Sequence, residues 1–146
     1  MYELVLTAHS WLRWVALVAG LVATGLAAAG PNRADRWGLI LVIALDLQLL
    51  LGLALYLALS PITTATFGDF GAAMRDPAVR FWAVEHVSLM LFAVVMAHVG
   101  RVLARKAASP AAKRKRLLVC FVLSTIAMIA ATPWPGMAGG RPLFRV

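Results

Sequence analysis

RFWAVEHVSLMLFAVVMAHVGR, residues 80–101, decides the fold. Its terminal arginines enclose 20 residues, and a helix needs about 20 to cross a hydrocarbon core of about 30 Å. Glu85, His86 and His98 stand inside that run. A charged group near the centre of a membrane helix costs about 2.5–3.5 kcal/mol on insertion scales, so each of these side chains requires a partner, a ligand or a water-filled cavity.

The rest of the chain agrees with a membrane setting. Of its 146 residues 62% are hydrophobic and 14% charged, with a mean hydropathy of +0.86, which soluble globular domains do not combine. The expected fold class is all-α, a four-helix transmembrane bundle with spans at about 10–29, 39–59, 81–100 and 117–132. The whole chain is then one membrane domain. No catalytic constellation stands out, so any chemistry belongs to the bundle interior or to a partner.

The N-terminus, MYELVLTAHSWLRW, lacks the positive region of a signal peptide, and the apolar run that follows is too long for a cleaved one, so it reads as a retained first span. Ala16, Gly20, Thr24 and Ala28, with Ala19, Ala23 and Ala27, recur every four residues. Such small-residue faces let neighbouring helices approach closely, as in a bundle. Asp46 and Gln48 interrupt the second span. The fourth is polar only at Ser124, Thr125 and Thr132, whose hydroxyls can bond the carbonyl one turn back. Cys120 is the sole cysteine, which excludes an intrachain disulfide framework or a cysteine-based metal site.

The net charge is +8, but its placement speaks of topology and not of nucleic acid. Arg33, Arg36 and the seven basic residues within 101–116 fall in the two connections on one side, whereas Arg75, Arg80, Arg141 and Arg145 fall on the other. The positive-inside rule makes the first set cytoplasmic and both termini outer, hence periplasmic in a Gram-negative bacterium. Trp11, Trp82 and Trp134 then share the outer level and Trp37 the inner one.

Counting depth at about 1.5 Å per residue pairs the polar groups. Arg13 and Glu85 come within about a turn, which implies either a structural ion pair or an Arg13 that faces a cofactor carboxylate such as a haem propionate. His9 and His86 occupy the outer half of the first and third spans. Two neutral imidazoles from different helices are a means of holding haem b in a bundle core, and the alternative is an interfacial His9 with His86 bonded to a neighbouring helix. Asp46 and His98 come close on the cytoplasmic side, either as a buried contact or as one step of a proton path to a quinone site.

HSWLRW (residues 9–14), DLQLLLGLALY with Ser60 and Pro61, the Glu85–His86 dipeptide, Gly100 with Arg101, and PWP with Arg141 and Phe144 together resemble a family of small four-span bacterial membrane proteins labelled cytochrome b-like. The resemblance covers nearly the whole chain. It implies a multi-pass protein of the bacterial inner membrane that acts in electron transfer or quinone traffic beside other subunits of a membrane redox complex. It also implies haem b on His9 and His86, and possible use of a quinone. Where this sequence has Asp46 the family often carries histidine, so one candidate ligand is absent. A reading of a different class is a haem-free accessory subunit packed against a respiratory or photosynthetic complex.

Overall fold

The computed structural model describes residues 1–30 and 33–144. It is 82% helical, with no strand among the described residues. The two last residues, which include the Val146 expected on the outer side, lie outside that range, as do Pro31 and Asn32.

Helix α1 spans Tyr2–Ala29. It starts about two turns earlier than the sequence suggests, with Glu3 in its first turn, where a carboxylate suits the positive end of the helix dipole. Helix α2 spans Ala34–Ala54 and runs on as a single π-helical turn over Leu55–Leu59. Short helices α3 (Pro61–Thr66) and α4 (Phe70–Arg75) form the connection. Helix α5 (Pro77–Arg80) then continues through a second π-turn, Phe81–Glu85, into α6 (His86–Arg105). Helix α7, Pro110–Ala131, closes the bundle.

The starts of these helices are written in the sequence. Ser60, Asp76 and Ser109 each accept a hydrogen bond from a first-turn amide, and each is followed by proline. Proline suits the first helical position because its fixed φ is already helical and it lacks an amide that would otherwise go unbonded.

Among the described residues three helices are long and apolar enough to cross a membrane: Tyr2–Ala29, Ala34–Leu59 and Pro77–Arg105. Helix α7 differs because Lys113, Arg114, Lys115 and Arg116 occupy its first turns. Its apolar part, residues 117–131, extends about 22 Å at 1.5 Å per residue.

Packing follows the small residues. Helix α1 buries Ala16, Ala19, Gly20, Ala23 and Ala27, and lies between α2 and α7. Helix α6 comes close to α7 at Gly100, where a Cβ would stand 2.6 Å from the Cβ of Cys120. Ser124, fully buried, donates to the Ala93 carbonyl oxygen at 2.8 Å, and the Thr24 and Thr125 hydroxyls lie 3.3 Å apart. Leu41, Leu45, Leu117 and Phe121 fill the space between the small-residue faces.

The basic connections meet at one end of the bundle. Arg101 donates to the Asp35 carbonyl oxygen at 2.8 Å and Lys113 to the Asp35 carboxylate at 2.6 Å. At the opposite end the Pro/Gly-rich segment after α7 folds back against α1 at Trp11, Arg13 and Trp14. Phe144 stacks on Trp14 and tilts against Trp11, with ring centres 5.4 and 5.9 Å apart.

Candidate functional site

A cleft opens at that second end between α1, α2, α6 and the returning tail, walled mostly by apolar side chains. Its polar residues come from distant parts of the chain. Helix α1 supplies His9 and Arg13, α2 supplies Gln48, α6 supplies His86, and the tail supplies Arg141.

The two imidazoles have ring centres 6.2 Å apart and planes at 65°. The early start of α1 sets His9 two turns inside the helix, where its ring lies beside that of His86. His86 Nδ1 lies 2.7 Å from the Ala131 carbonyl oxygen. A carbonyl can only accept, so in the neutral ring Nδ1 carries the proton and Nε2 keeps its lone pair. His9 Nδ1 is buried and has no hydrogen-bond partner.

Gln48 braces His9 from below. Its amide Nε2 donates to the His9 carbonyl oxygen at 3.0 Å, and its Oε1 is buried without a partner. Gly52 leaves room for the His9 ring, since a Cβ there would stand 3.2 Å from His9 Cε1. Orphaned buried polar atoms are rare in folded proteins because each costs about 1–3 kcal/mol. Three occur here, His9 Nδ1, Gln48 Oε1 and Arg13 Nε, all on residues that line this one cleft.

The expected Arg13–Glu85 ion pair does not form. Arg13 instead donates from a terminal nitrogen to the Leu143 carbonyl oxygen at 2.6 Å, and Glu85 pairs with Arg80 at 2.8 Å. The π-turn over Phe81–Glu85 is the reason. It closes over five residues instead of four, so Arg80 and Glu85 fall on one face and the carboxylate turns away from the cleft. A depth count that assumed an uninterrupted α-helix missed this rotation.

No Asp or Glu among the described residues lines the cleft, although two guanidinium groups do. Arg141 lies over the Trp82 ring, 5.3 Å from its centre, and Arg13 over Trp14 at 5.0 Å. The site is therefore cationic and has no carboxylate of its own. An anionic group entering it would meet Arg13 and Arg141.

The two π-turns face each other at this site. Tyr56, in the first, donates its hydroxyl to the Ala83 carbonyl oxygen in the second at 2.8 Å. Thr63 bonds the Tyr56 carbonyl oxygen at 2.9 Å, satisfying an acceptor that the altered helix leaves without its usual partner.

Asp46 and His98 do come together, with His98 Nε2 2.8 Å from Asp46 Oδ1. They lie outside the cleft, on the α2–α6 surface, and their side chains are 45% and 48% exposed. Two residues apart on one helix, Asp46 and Gln48 point to different faces, and Gln48 is the buried one, 4% exposed. That spacing was a signal in the sequence that the two belong to different faces, but the rotation of α2 decides that Gln48 is the one at the site. Arg141, Tyr56 and the Ala131 carbonyl carried no such signal.

Among the described residues no three of His, Cys, Asp and Glu converge, so the donor set is a pair of imidazoles with two nearby guanidinium groups. Compared with protein families, with curated proteins and with solved structures, the chain finds no match.

Proposed function

We propose that the chain is a four-span, cytochrome b-like protein of the bacterial inner membrane that holds haem b between His9 and His86 and passes electrons within a larger redox complex. The observation that carries the reading is the spacing of the two imidazoles. Their ring centres stand 6.2 Å apart, a separation that would leave room for one metal ion bound by a nitrogen of each ring at about 2 Å. That spacing also suits edge-to-face ring contact. What favours ligation is the company the rings keep: an orphaned His9 Nδ1, a His86 whose Nδ1 is already committed, and two arginines without carboxylates.

In this reading His9 and His86 would hold the iron, and the Ala131 carbonyl fixes the tautomer and orientation of His86, as outer partners of ligating histidines commonly do. Arg13 and Arg141, which line the cleft, would pair with the haem carboxylates. The group would supply a one-electron couple, whose potential depends on its ligands and on burial. The tail carrying Arg141 and Leu143 closes the outer end and limits access of water. Transfer to a quinone in the lipid is the corresponding role in the membrane.

Absorbance of the purified protein tests the reading. Dithionite reduction is expected to produce sharp b-type bands with about one haem per chain. A pure, folded, membrane-inserted sample without them would transfer support to the haem-free accessory subunit.

The same reading sets the cleft on the outer side and the 101–116 connection in the cytoplasm, with α7 as the fourth span. Long basic side chains reaching from its first turns to the headgroups extend its effective length. A cysteine introduced at Ala112, in a Cys120→Ala background, is expected to resist an impermeant thiol reagent in intact cells and to react after permeabilisation. Labelling in intact cells reverses the orientation.

A further inference from the structure

We infer that the Asp46–His98 pair is one half of a self-complementary interface, and that this chain forms a two-fold dimer in the membrane across its α2–α6 face. This inference is independent of haem binding, because the pair lies outside the cleft. It does rest on α2 and α6 crossing the bilayer, which their length and apolar composition support.

The pair stands close to the middle of α2 and within the last third of the Pro77–Arg105 span. Residues three or four positions away share its face, Ile43 and Leu50 on α2 and Val95 and Val102 on α6, and Leu47 and Val99 flank the pair, all exposed. An apolar face of this kind suits lipid, but the half-exposed carboxyl and imidazole at its centre do not. They use one atom each on one another, and among the described residues neither Asp46 Oδ2 nor His98 Nδ1 has a hydrogen-bond partner.

The chemistry of the leftover atoms identifies the occupant. A pair that shares one proton across its internal bond is net neutral, written either as imidazolium with carboxylate or as imidazole with carboxylic acid. In both states His98 Nδ1 carries a hydrogen and Asp46 Oδ2 accepts one, whichever side of the internal bond holds the proton. Each chain therefore presents one donor and one acceptor side by side. A two-fold axis beside the pair satisfies all four groups at once, with His98 of each copy donating to Asp46 of the other, as an isologous interface requires. Lipid tails offer neither group. A different subunit would have to present a matched donor and acceptor at the same depth, whereas a second copy does so by symmetry.

Self-association of the full chain, labelled with donor and acceptor dyes and diluted in phosphatidylcholine vesicles, measures this directly by energy transfer. The wild type is expected to dimerise. Asp46→Leu with His98→Leu removes both hydrogen bonds without stranding a charge, and is expected to weaken association by about tenfold or more. Far-UV circular dichroism checks that the variant is folded. If it is not, Leu47→Trp, at a position already 47% exposed, takes its place, since added bulk there obstructs the interface while remaining compatible with lipid. A wild type that stays monomeric at all dilutions overturns the dimer and leaves lipid or another membrane protein against the pair. Association weakened less than tenfold in the folded variant also overturns it.

Discussion

His86→Ala is expected to abolish the b-type spectrum of the purified protein, and His9→Ala to do the same, whereas His98→Ala leaves it unchanged. All three histidines lie in apolar helices, so composition does not separate them; position in the bundle does. His9 and His86 line one cleft with their ring centres 6.2 Å apart, while His98 sits on the outer surface against Asp46. Loss of haem has to be distinguished from loss of fold, because removing the His86 ring also strands the Ala131 carbonyl, at about 1–3 kcal/mol. His86→Gln separates the two effects. Its amide can still donate to the Ala131 carbonyl oxygen, so thermal stability is expected to hold while ligation is lost. A graded version is Gly52→Val, which presses on His9 Cε1 where even a Cβ would stand at 3.2 Å. Disturbing the orientation of a ligating histidine typically costs 10–100-fold in metal affinity. Equal haem content in His86→Ala and His98→Ala would remove the basis for the assignment.

Gly100→Leu is expected to produce the largest loss of stability among single substitutions in the bundle. Helices α6 and α7 approach so closely there that the first added carbon would meet Cys120 Cβ at 2.6 Å, a contact that neither side chain can relieve by rotation. Overpacking of a well-filled interior costs about 1–3 kcal/mol. Leucine is expected at or above the upper end, since its branch also points into Phe121, 3.7 Å from the first added carbon. Gly100→Ala is milder, because alanine recovers about 1 kcal/mol of helix propensity over glycine. The identity of the clashing atom gives a sharper check. Cys120→Ala keeps the Cβ and is not expected to rescue Gly100→Ala, whereas Cys120→Gly removes it and is. Thermal unfolding in detergent, followed by circular dichroism, reads all of these. Rescue by Cys120→Ala would show that the sulfur, and not the backbone separation, sets the limit.

Much of this architecture was legible in the residues. Apolar runs of spanning length, bounded by arginines and prolines, mark the long helices because a bilayer has a fixed thickness and backbone groups within it must bond internally. The alanines and glycine of α1 mark its buried face because only small side chains allow close helix approach. His9 and His86 were candidates because they are imidazoles on separate spans at similar depth, and Asp46 and His98 were neighbours by the same depth count. That count depends on 1.5 Å per residue and holds wherever the helix is regular.

Tertiary structure decided the rest, for reasons that no local pattern contains. The π-turn over Phe81–Glu85 rotates Glu85 onto Arg80, and the extra residue in that turn has no signature in a hydrophobic period of 3.6. Arg13 takes its partner from Leu143, 130 residues away, because the tail folds back against the third and fourth turns of α1. The rotation of α2 sends Gln48 inward to His9 and Asp46 outward beside His98, although both read in sequence as polar interruptions of one span. Depth along a helix follows from counting residues. The direction in which a side chain points follows from how neighbouring helices pack and where the ladder is interrupted, and this sets the cleft and its cations apart from the exposed pair.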